Sequence, residues 1–371
     1  AKLSVTKGAA LVIFLGVLSW DVQGKEVKEK EVLILVALDD QAAQQLADAS
    51  PRTNKHSLRA LWAREEDFWD ISVQHDCPIP CSVTTDMSKL PLADAVLFSA
   101  QLFPAFGTFE SVRNRMMPNQ TSILWNTEAV PTFRMGPQLP LLSGMVDVVA
   151  SYELTSALPL VTFPSWLSPH NFTHFVTHRD PPARRGGDEA QVVWVASNCE
   201  TTFNGRTTYV AQLMKHINLH SYGRCLHNID LPPGFESGRT GNKFWQDKVR
   251  LLEGYTFALV FENSDASHYV TEKLFQALLA GTIPVYMGAK DVSDFLPADN
   301  AVIRVWDFDS PAALAKHLLH LLRTPSSLAE HHAWRRRPLP SSFLRLWDLS
   351  WDTAKCRMCA WVGGQEGKQP Q

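Results

Sequence analysis

Residues 255–289 read YTFALVFENSDASHYVTEKLFQALLAGTIPVYMGA and contain the clearest indication of the fold class. Residues 257–261 form an uninterrupted apolar run of strand length, and a second such run covers residues 283–287. Between them, residues 271–280 have helical periodicity, with Thr271 expected as the N-cap and Gly281 as the C-terminal stop. Two apolar strands joined by a helix form a βαβ unit, which predicts a parallel sheet covered on both faces.

The same alternation extends along the chain in both directions. Further strands are predicted at residues 32–38, 94–99, 122–125, 146–150, 191–196 and 301–305, and further helices at residues 41–49, 108–116, 206–217 and 311–322. Residues 180–188 are rich in Pro and Gly, which indicates a boundary. We therefore predict an α/β protein in which two Rossmann-like domains face each other across a cleft. The predicted segments are residues 1–30 (short hydrophobic segment and stem), 31–180 (N-terminal domain), 190–345 (C-terminal domain) and 346–371 (C-terminal segment).

Composition limits the possible functions. Hydrophobic residues make up 45% of the 371 residues, enough to bury a substantial core. The 35 Lys and Arg residues are balanced by 38 Asp and Glu, giving a net charge of -3. A general nucleic-acid binder held by phosphate neutralisation is therefore not expected, and any bound anion must be met by a few placed cations.

The N-terminal segment indicates a compartment. Lys2 and Lys7 precede the uncharged residues 8–20, a pattern typical of a signal peptide or a short signal anchor. Thirteen helical residues reach about 20 Å, short of a hydrocarbon core of roughly 30 Å. A buried core helix is the alternative. Both leading interpretations send the rest of the chain into the secretory lumen.

Cysteines and sequons are consistent with that compartment. The six cysteines allow up to three disulfides whose pairing the sequence leaves open: Cys77, Cys81, Cys199, Cys225, Cys356 and Cys359. A zinc site or a thioredoxin-like redox pair at Cys356 and Cys359 is the less favoured reading. Asn119 and Asn171 lie in glycosylation sequons.

A candidate anion site follows the first predicted strand of the opening stretch. Lys273 lies in the first turn of the predicted helix, where the helix dipole favours anions rather than cations. The placement is understandable if a phosphate binds there, held by the lysine and the helix amides together. The alternative is that Glu272 and Lys273 are solvated residues of an ordinary helix.

Several ordered motifs resemble those of one family. They are Cys77-Pro-Ile-Pro-Cys81, Ala93-Asp-Ala-Val-Leu-Phe98, Ala196-Ser-Asn-Cys199, Ser221-Tyr-Gly-Arg-Cys225, Phe261-Glu-Asn-Ser264, Tyr269-Val-Thr-Glu-Lys-Leu274, Ala280-Gly-Thr-Ile-Pro-Val-Tyr-Met-Gly288 and Cys356-Arg-Met-Cys359. In this order they resemble the alpha-1,3/4-fucosyltransferase family, which uses GDP-fucose. The Tyr-Gly-Arg-Cys and Cys-Arg-Met-Cys segments are similar to its plant-type branch.

The resemblance implies a fold and an activity. It implies the GT-B arrangement, with the donor bound by the C-terminal domain, and transfer of L-fucose from GDP-beta-L-fucose, with inversion, to a GlcNAc hydroxyl of N-glycans or related chains through an alpha-1,3 or alpha-1,4 linkage. Arg206 and Lys273 match the family's diphosphate-binding cations, and Asn263, Tyr269 and Glu272 match positions that contact the nucleotide sugar. Because side-chain cations replace a metal there, no essential cofactor is expected, with stimulation by a divalent cation left open.

Inversion in one displacement requires a base for the acceptor hydroxyl. Glu128 is the predicted base, because it follows the strand at residues 122–125 at the rim of the N-terminal sheet, and Glu153 is its rival. Asp307-Phe-Asp309 resembles a metal-binding Asp-x-Asp but directly precedes a helix start, so we interpret it as structural. His268 and Phe275 depart from residues common in the family.

Partners and location follow from the same resemblance. The expected partners are GDP-fucose, a glycan acceptor on a glycoprotein and a membrane contacted through the N-terminal segment, without nucleic acid. The expected location is the Golgi membrane, single-pass type II, with the catalytic part in the lumen. The competing hypotheses are a GT-B transferase that uses another nucleotide sugar and a non-catalytic glycan-binding protein of the same fold.

Overall fold

The computed structural model describes residues 32–36, 77, 79, 81–84, 86–100, 106–129, 139–163, 190–200, 202–235 and 242–364. The N-terminal apolar run at residues 8–20, the predicted helix at residues 41–49 and the sequon at Asn171 lie outside these residues. The described residues form two sheets, and every strand pair among them is parallel. None of the helices in this part of the chain is long and apolar enough to cross a bilayer.

The first sheet has six strands in the order β2-β1-β3-β4-β5-β6. They are β1 (Val32–Val36), β2 (Cys81–Thr84), β3 (Ala95–Ser99), β4 (Thr121–Asn126), β5 (Val148–Ser151) and β6 (Leu158–Pro159), accompanied by helices α1 (Phe106–Arg113) and α2 (Leu139–Ser143) and the 3-10 helix Met87–Leu92. The sequence predicts β1, β3, β4 and β5. Strands β2 and β6 are too short and too weakly apolar to be recognised by periodicity.

The second sheet has five strands in the order β11-β10-β9-β7-β8. Its strands are β7 (Val192–Val195), β8 (Leu219–Tyr222), β9 (Phe257–Phe261), β10 (Ile283–Met287) and β11 (Ile303–Arg304), with helices α3 (Arg206–Leu213), α4 (Asn242–Leu252), α5 (Glu272–Ala280) and α6 (Pro311–Arg323). In chain order this sheet reads 2-1-3-4-5, so the strand order reverses between β7 and β9. Sheets of this kind bind ligands at such a switch point, outside the carboxyl ends of the strands.

Local signals place the helix ends in this second domain. Ser310 accepts a hydrogen bond from the amide of Ala313 at 3.2 Å, and Pro311 occupies the first turn of α6, so this helix begins where the sequence predicts one at residues 311–322. Gly281 ends α5 with a φ of 77°, also as predicted. Thr271 occupies the N-cap position of α5, but its side chain bonds no helix amide there. Its hydroxyl donates to the carboxylate of Glu262 instead.

The three C-terminal helices are α7 (Pro325–Glu330), α8 (Ser341–Asp348) and α9 (Trp351–Val362). Of these, α7 and α8 pack on the second domain and α9 returns the chain to the first. Ala354 and Met358 of α9 are fully buried in the core of the first sheet. Disulfides join Cys77 to Cys356 and Cys81 to Cys359, so the end of α9 is bonded to the segment that begins β2.

The third disulfide joins Cys199 to Cys225 within the second domain. The prediction of structural disulfides is therefore confirmed, and a Cys356–Cys359 redox pair is wrong. Gly223 explains the neighbouring Tyr-Gly-Arg-Cys motif: its φ is 81°, and an added Cβ would lie 2.5 Å from the carbonyl oxygen of Ala196. The chain after β8 thus approaches the end of β7 closely.

Candidate functional site

A cavity of about 250 Å³ opens at the switch point of the second sheet. The last residues of β7 and β9 form its floor, and helices α3, α4 and α5 supply its walls. The polar and aromatic side chains that line it are Ser197, Asn198, Arg206, Trp245, Lys248, Asn263, Glu272 and Lys273. Four of the five predicted nucleotide-sugar residues therefore lie together. The fifth, Tyr269, is not among the cavity-lining residues in the described part of the chain.

A buried carboxylate lies below the start of α5. Glu262 is fully buried, and its carboxylate accepts hydrogen bonds from the Thr271 amide at 2.8 Å and the Thr271 hydroxyl at 2.9 Å. It also accepts one from Lys273 Nζ at 3.0 Å. A carboxylate at a helix N-terminus is electrostatically favourable, so Glu262 balances the lysine that the helix dipole alone would disfavour. The expected N-cap role of Thr271 is wrong in this detail, because its hydroxyl serves Glu262.

Lys273 is held charged. Burial opposes the charge, but the attraction of Glu262 and Glu272 outweighs burial and raises the lysine pKa above its ordinary value. The Lys273 ammonium lies 3.7 Å from Glu272 Oε1, and its side chain stays 23% exposed at the cavity wall. Burial likewise opposes the Glu272 charge, yet Lys273 and Lys248 keep the pKa of that carboxyl below its ordinary value.

Arg206 joins the two strand ends of the cavity floor. Its guanidinium is 2% exposed and donates to the carbonyl oxygen of Phe261 at 2.6 Å and to that of Asn198 at 2.7 Å. Burial lowers its pKa, and the nearby carboxylate of Glu262 opposes that change. Its buried Nε has no partner among the described residues. Arg206 therefore both holds the cavity together and supplies positive charge to it.

Glu128 and Tyr269 connect the two domains. Glu128 lies in the loop after β4, where its amide donates to Asn126 Oδ1 at 3.3 Å. The hydroxyl of Tyr269, in the loop after β9, donates to Glu128 Oε2 at 2.7 Å. Burial raises the Tyr269 pKa well above its ordinary value, and the Glu128 charge adds to that effect, so the hydroxyl keeps its proton. The Glu128 charge also contributes to the raised pKa of Lys273, which brings this carboxylate within electrostatic reach of the cavity.

The remaining predicted residues lie away from this arrangement. Glu153 is exposed, and its amide donates to Ser151 Oγ at 3.3 Å. Asp307 and Asp309 are also exposed, and no group of three potential metal-ligating side chains occurs within the described residues. Phe275 is fully buried, with its ring 4.0 Å from that of Phe163.

Sequence reasoning misses Glu262, Trp245 and Lys248 as site residues. Glu262 carries a signal, because it directly follows the buried strand β9. Trp245 and Lys248 belong to α4, whose amphipathic sequence resembles that of any surface helix. Only the packing of α4 on α5 brings them to the cavity.

Two parallel Rossmann-like domains with a cation-lined cavity at a switch point define a protein of the GT-B fold class. Residues 187–370 match the family described as Glycosyltransferase family 10 (fucosyltransferase) C-term. The C-terminal half of the chain belongs to this family, and the resemblance predicted from the sequence is confirmed.

Three curated proteins that are similar to this chain are named as fucosyltransferases. It is 30% identical over 302 residues to Alpha-(1,3)-fucosyltransferase B of Drosophila melanogaster, covering 77% of this chain and 65% of the relative. It is 37% identical over 241 residues to GDP-fucose protein O-fucosyltransferase 3 of Danio rerio, covering 63% of this chain and 51% of the relative. It is 30% identical over 234 residues to Alpha-(1,4)-fucosyltransferase of Arabidopsis thaliana, covering 61% and 56%. The chain therefore spans less than two thirds of the length of these relatives.

A solved structure has the same architecture. The crystal structure of an alpha1,3-fucosyltransferase superposes with a TM-score of 0.54 and covers 94% of each chain, at 13% identity. Identity this low carries information about the fold alone. The predicted arrangement of two facing Rossmann-like domains is confirmed.

Replacing Tyr269 by phenylalanine tests the bond between the domains. The variant keeps the aromatic ring, whose centre lies 5.2 Å from that of the Tyr152 ring. It removes only the Tyr269 hydroxyl, which donates a hydrogen bond to Glu128. A hydrogen bond to a charged group contributes about 1.5–3 kcal/mol, so we expect turnover to fall by about tenfold or more with GDP affinity unchanged. Steady-state kinetics and calorimetric GDP titration measure the two quantities. Unchanged turnover with weakened GDP binding would instead indicate that Tyr269 contacts the nucleotide.

Replacing Gly288 by alanine tests the packing beneath the cavity. An added Cβ would lie 2.6 Å from Tyr286 Oη and 2.9 Å from Glu262 Cγ, and Tyr286 and Glu262 are both fully buried. Overpacking costs about 1–3 kcal/mol, and a shift of Glu262 displaces the partner of Lys273. We expect a lower unfolding temperature and reduced GDP binding. Gly144→Ala is the control, because its Cβ would meet no atom closer than 3.5 Å, and equal losses in both variants would contradict the account.

Proposed function

We propose that this protein transfers L-fucose from GDP-beta-L-fucose to a GlcNAc hydroxyl of N-glycans or related chains, with inversion, through an alpha-1,3 or alpha-1,4 linkage. One observation carries the proposal: Arg206 and Lys273 line one cavity at the switch point, and the charge of Glu128, held in the opposite domain by the Tyr269 hydroxyl, contributes to the raised pKa of Lys273. The family of the C-terminal half and the names of the curated relatives support the donor.

In this mechanism the two domains have separate tasks. Glu128 takes the proton of the acceptor hydroxyl as that oxygen attacks the anomeric carbon. Lys273 and Arg206 stabilise the negative charge that develops on the departing diphosphate, in a site where burial strengthens electrostatic interactions. Tyr269 holds Glu128 through its hydroxyl. Asn263 and Glu272, which lie in the cavity wall, are the proposed contacts of the nucleotide sugar.

No metal is essential in this proposal, because side-chain cations take its place. Incubation with a chelator is therefore expected to change turnover by less than about tenfold, since removal of a charge-stabilising group costs on the order of 10²–10³. Steady-state assays with EDTA, followed by added Mg²⁺ or Mn²⁺, measure this effect. Complete loss of turnover with EDTA and recovery with metal would contradict it, whereas a moderate increase with metal would not.

The cellular location of the protein is also a proposal. We propose a Golgi-type membrane enzyme with its catalytic part in the lumen, since three disulfides suit an oxidising compartment. Asn119, in the described sequon, is exposed just before β4, where an oligosaccharide would be accommodated. Release of a glycan from the purified luminal protein by an endoglycosidase is the expected result.

A polypeptide acceptor is the second candidate. It is favoured by the 37% identity to GDP-fucose protein O-fucosyltransferase 3 of Danio rerio, the highest identity among the relatives described above. In that case the same donor site serves a serine or threonine hydroxyl. The donor cavity of the second domain does not distinguish the two acceptors.

A donor and acceptor panel tests the proposal. The purified chain is incubated with GDP-fucose, UDP-glucose or GDP-mannose, with a GlcNAc-terminated glycan, a Ser/Thr-rich folded polypeptide or no acceptor, and nucleotide release is measured. Release from GDP-fucose that requires the glycan supports the proposal, and release that requires the polypeptide supports the second candidate. Release from another donor contradicts the proposed donor. Binding without release would identify a glycan-binding protein that has lost turnover.

A further inference from the structure

Helix α4 places two side chains in the cavity wall. Trp245 and Lys248 are one turn apart, and the Lys248 ammonium lies 5.8 Å from the centre of the Trp245 ring. The packing of α4 against α5 brings this face toward Glu272 and Lys273. Neither residue belongs to a recognisable motif, and the mechanism above does not use them.

Lys248 differs from Lys273 and Arg206, the other two cations of the cavity, in its hydrogen bonding. Lys273 is bonded to Glu262, and Arg206 donates to two main-chain carbonyls. Within the described residues, Lys248 has no hydrogen bond and no ion pair. The carboxylate next to it in sequence, Asp247, is paired with Arg250 at 2.8 Å.

The charge balance of the cavity depends on Lys248. Arg206, Lys248 and Lys273 contribute three positive charges, while Glu272 in the wall and Glu262 beneath it contribute two negative charges. Without Lys248 the two cations and two carboxylates that line the cavity or lie directly beneath it would cancel. Lys248 therefore supplies the excess positive charge that a diphosphate entering this cavity would meet.

We infer that Lys248 is a third diphosphate-binding cation, which completes its hydrogen bonding only when a nucleoside diphosphate occupies the cavity. The inference deepens the proposed function and rests on it for the identity of the nucleotide. Placing an amine in a half-buried wall, near Glu272 but without a hydrogen bond or a close ion pair to any described carboxylate, is unfavourable until an anion arrives. The phosphate oxygens would give it charge-assisted hydrogen bonds.

A measurable pH dependence follows from the groups around Lys248. Burial lowers its pKa to about 8, an effect that Lys273 and Arg206 reinforce and that Glu272 and Glu262 oppose. A bound diphosphate favours the charged lysine and raises its pKa, so binding takes up a proton when the free lysine is neutral. Affinity is then full below pH 8 and declines as the pH rises above it.

Calorimetric titration of the full chain with GDP at pH 7 and pH 9 tests this inference. With a free-state pKa of about 8, we expect wild-type affinity to fall roughly tenfold between the two values. Lys248→Arg should reduce this decline, because arginine stays charged at both values. The arginine variant shares every other titrating group with the wild type, including those of the nucleotide. Lys248→Met should bind GDP roughly tenfold or more weakly at pH 7.

Controls separate the possible outcomes. Lys316→Met, at an exposed position of α6, should bind GDP as the wild type does. Lys248→Met should keep its unfolding temperature, because it removes an unpaired charge from the wall. Wild-type affinity in Lys248→Met, or an undiminished alkaline decline in Lys248→Arg, would overturn the inference.

The same titrations with UDP and ADP distinguish the inference from the proposed function. Binding of UDP or ADP in place of GDP, with the same dependence on Lys248, would refute the proposed donor and support the role of the lysine. Absence of binding of all three diphosphates to the wild type would overturn both.

Discussion

Lys273→Ala is expected to abolish most of the turnover. The variant removes the cation that neutralises the departing diphosphate, and loss of a single charge-stabilising group costs on the order of 10²–10³ in rate. It also leaves the fully buried carboxylate of Glu262 without its ammonium partner at 3.0 Å. Removing one partner of a buried pair costs about 3–5 kcal/mol, so the unfolding temperature should fall as well.

Two further variants separate the catalytic effect from the stability effect. Lys273→Arg keeps the charge beside Glu262 and should retain the wild-type unfolding temperature, with turnover between those of the wild type and the alanine variant. Lys316→Ala, at an exposed position of α6, should leave both quantities unchanged. Near-wild-type turnover in a folded Lys273→Ala protein would remove Lys273 from the mechanism.

Glu128→Gln should lower turnover by roughly 10²–10⁴ while GDP binding stays unchanged, because the amide cannot accept the acceptor proton. Its oxygen can still accept the bond that Tyr269 donates at 2.7 Å, so the contact between the domains should persist. Steady-state kinetics and GDP titration measure the two effects.

Glu153→Gln is the matched control for this experiment. Glu153 follows β5 as Glu128 follows β4, but it is exposed to solvent. We expect its substitution to change turnover by less than about twofold, since it neither contacts nor supports a reacting group. A large loss in Glu153→Gln together with an active Glu128→Gln would exchange the two roles.

The alternation of strands and helices was predictable from the sequence. The apolar runs at β9 and β10 are long enough to identify a buried parallel sheet, and their order makes the strand ends candidates for a site. Lys273 was identifiable because a cation in the first turn of a helix contradicts the dipole. The structure shows that the buried carboxylate of Glu262 accepts a hydrogen bond from Lys273 and balances its charge.

Other features depend on tertiary packing and could not be predicted. The six cysteines allow fifteen pairings. Only the fold shows that α9 crosses back to the first sheet, where Cys356 and Cys359 meet Cys77 and Cys81. Lys248 likewise reaches the cavity only because α4 packs on α5.

The hydrogen bond between Tyr269 and Glu128 depends on how the two domains meet. These residues are 141 positions apart in the sequence, and no local pattern relates them. The nucleotide-sugar contact that the resemblance implies for Tyr269 stays a prediction, and its hydroxyl bonds a carboxylate of the opposite domain. The donor loop and the proposed base are therefore connected through one side chain.

A crystal structure of the chain with bound GDP shows whether Arg206 and Lys273 meet one diphosphate. We expect the diphosphate in the cavity at the ends of β7 and β9, with a phosphate oxygen within about 3.2 Å of Lys273 Nζ. Guanine or diphosphate bound elsewhere, with Arg206 and Lys273 untouched, would contradict it.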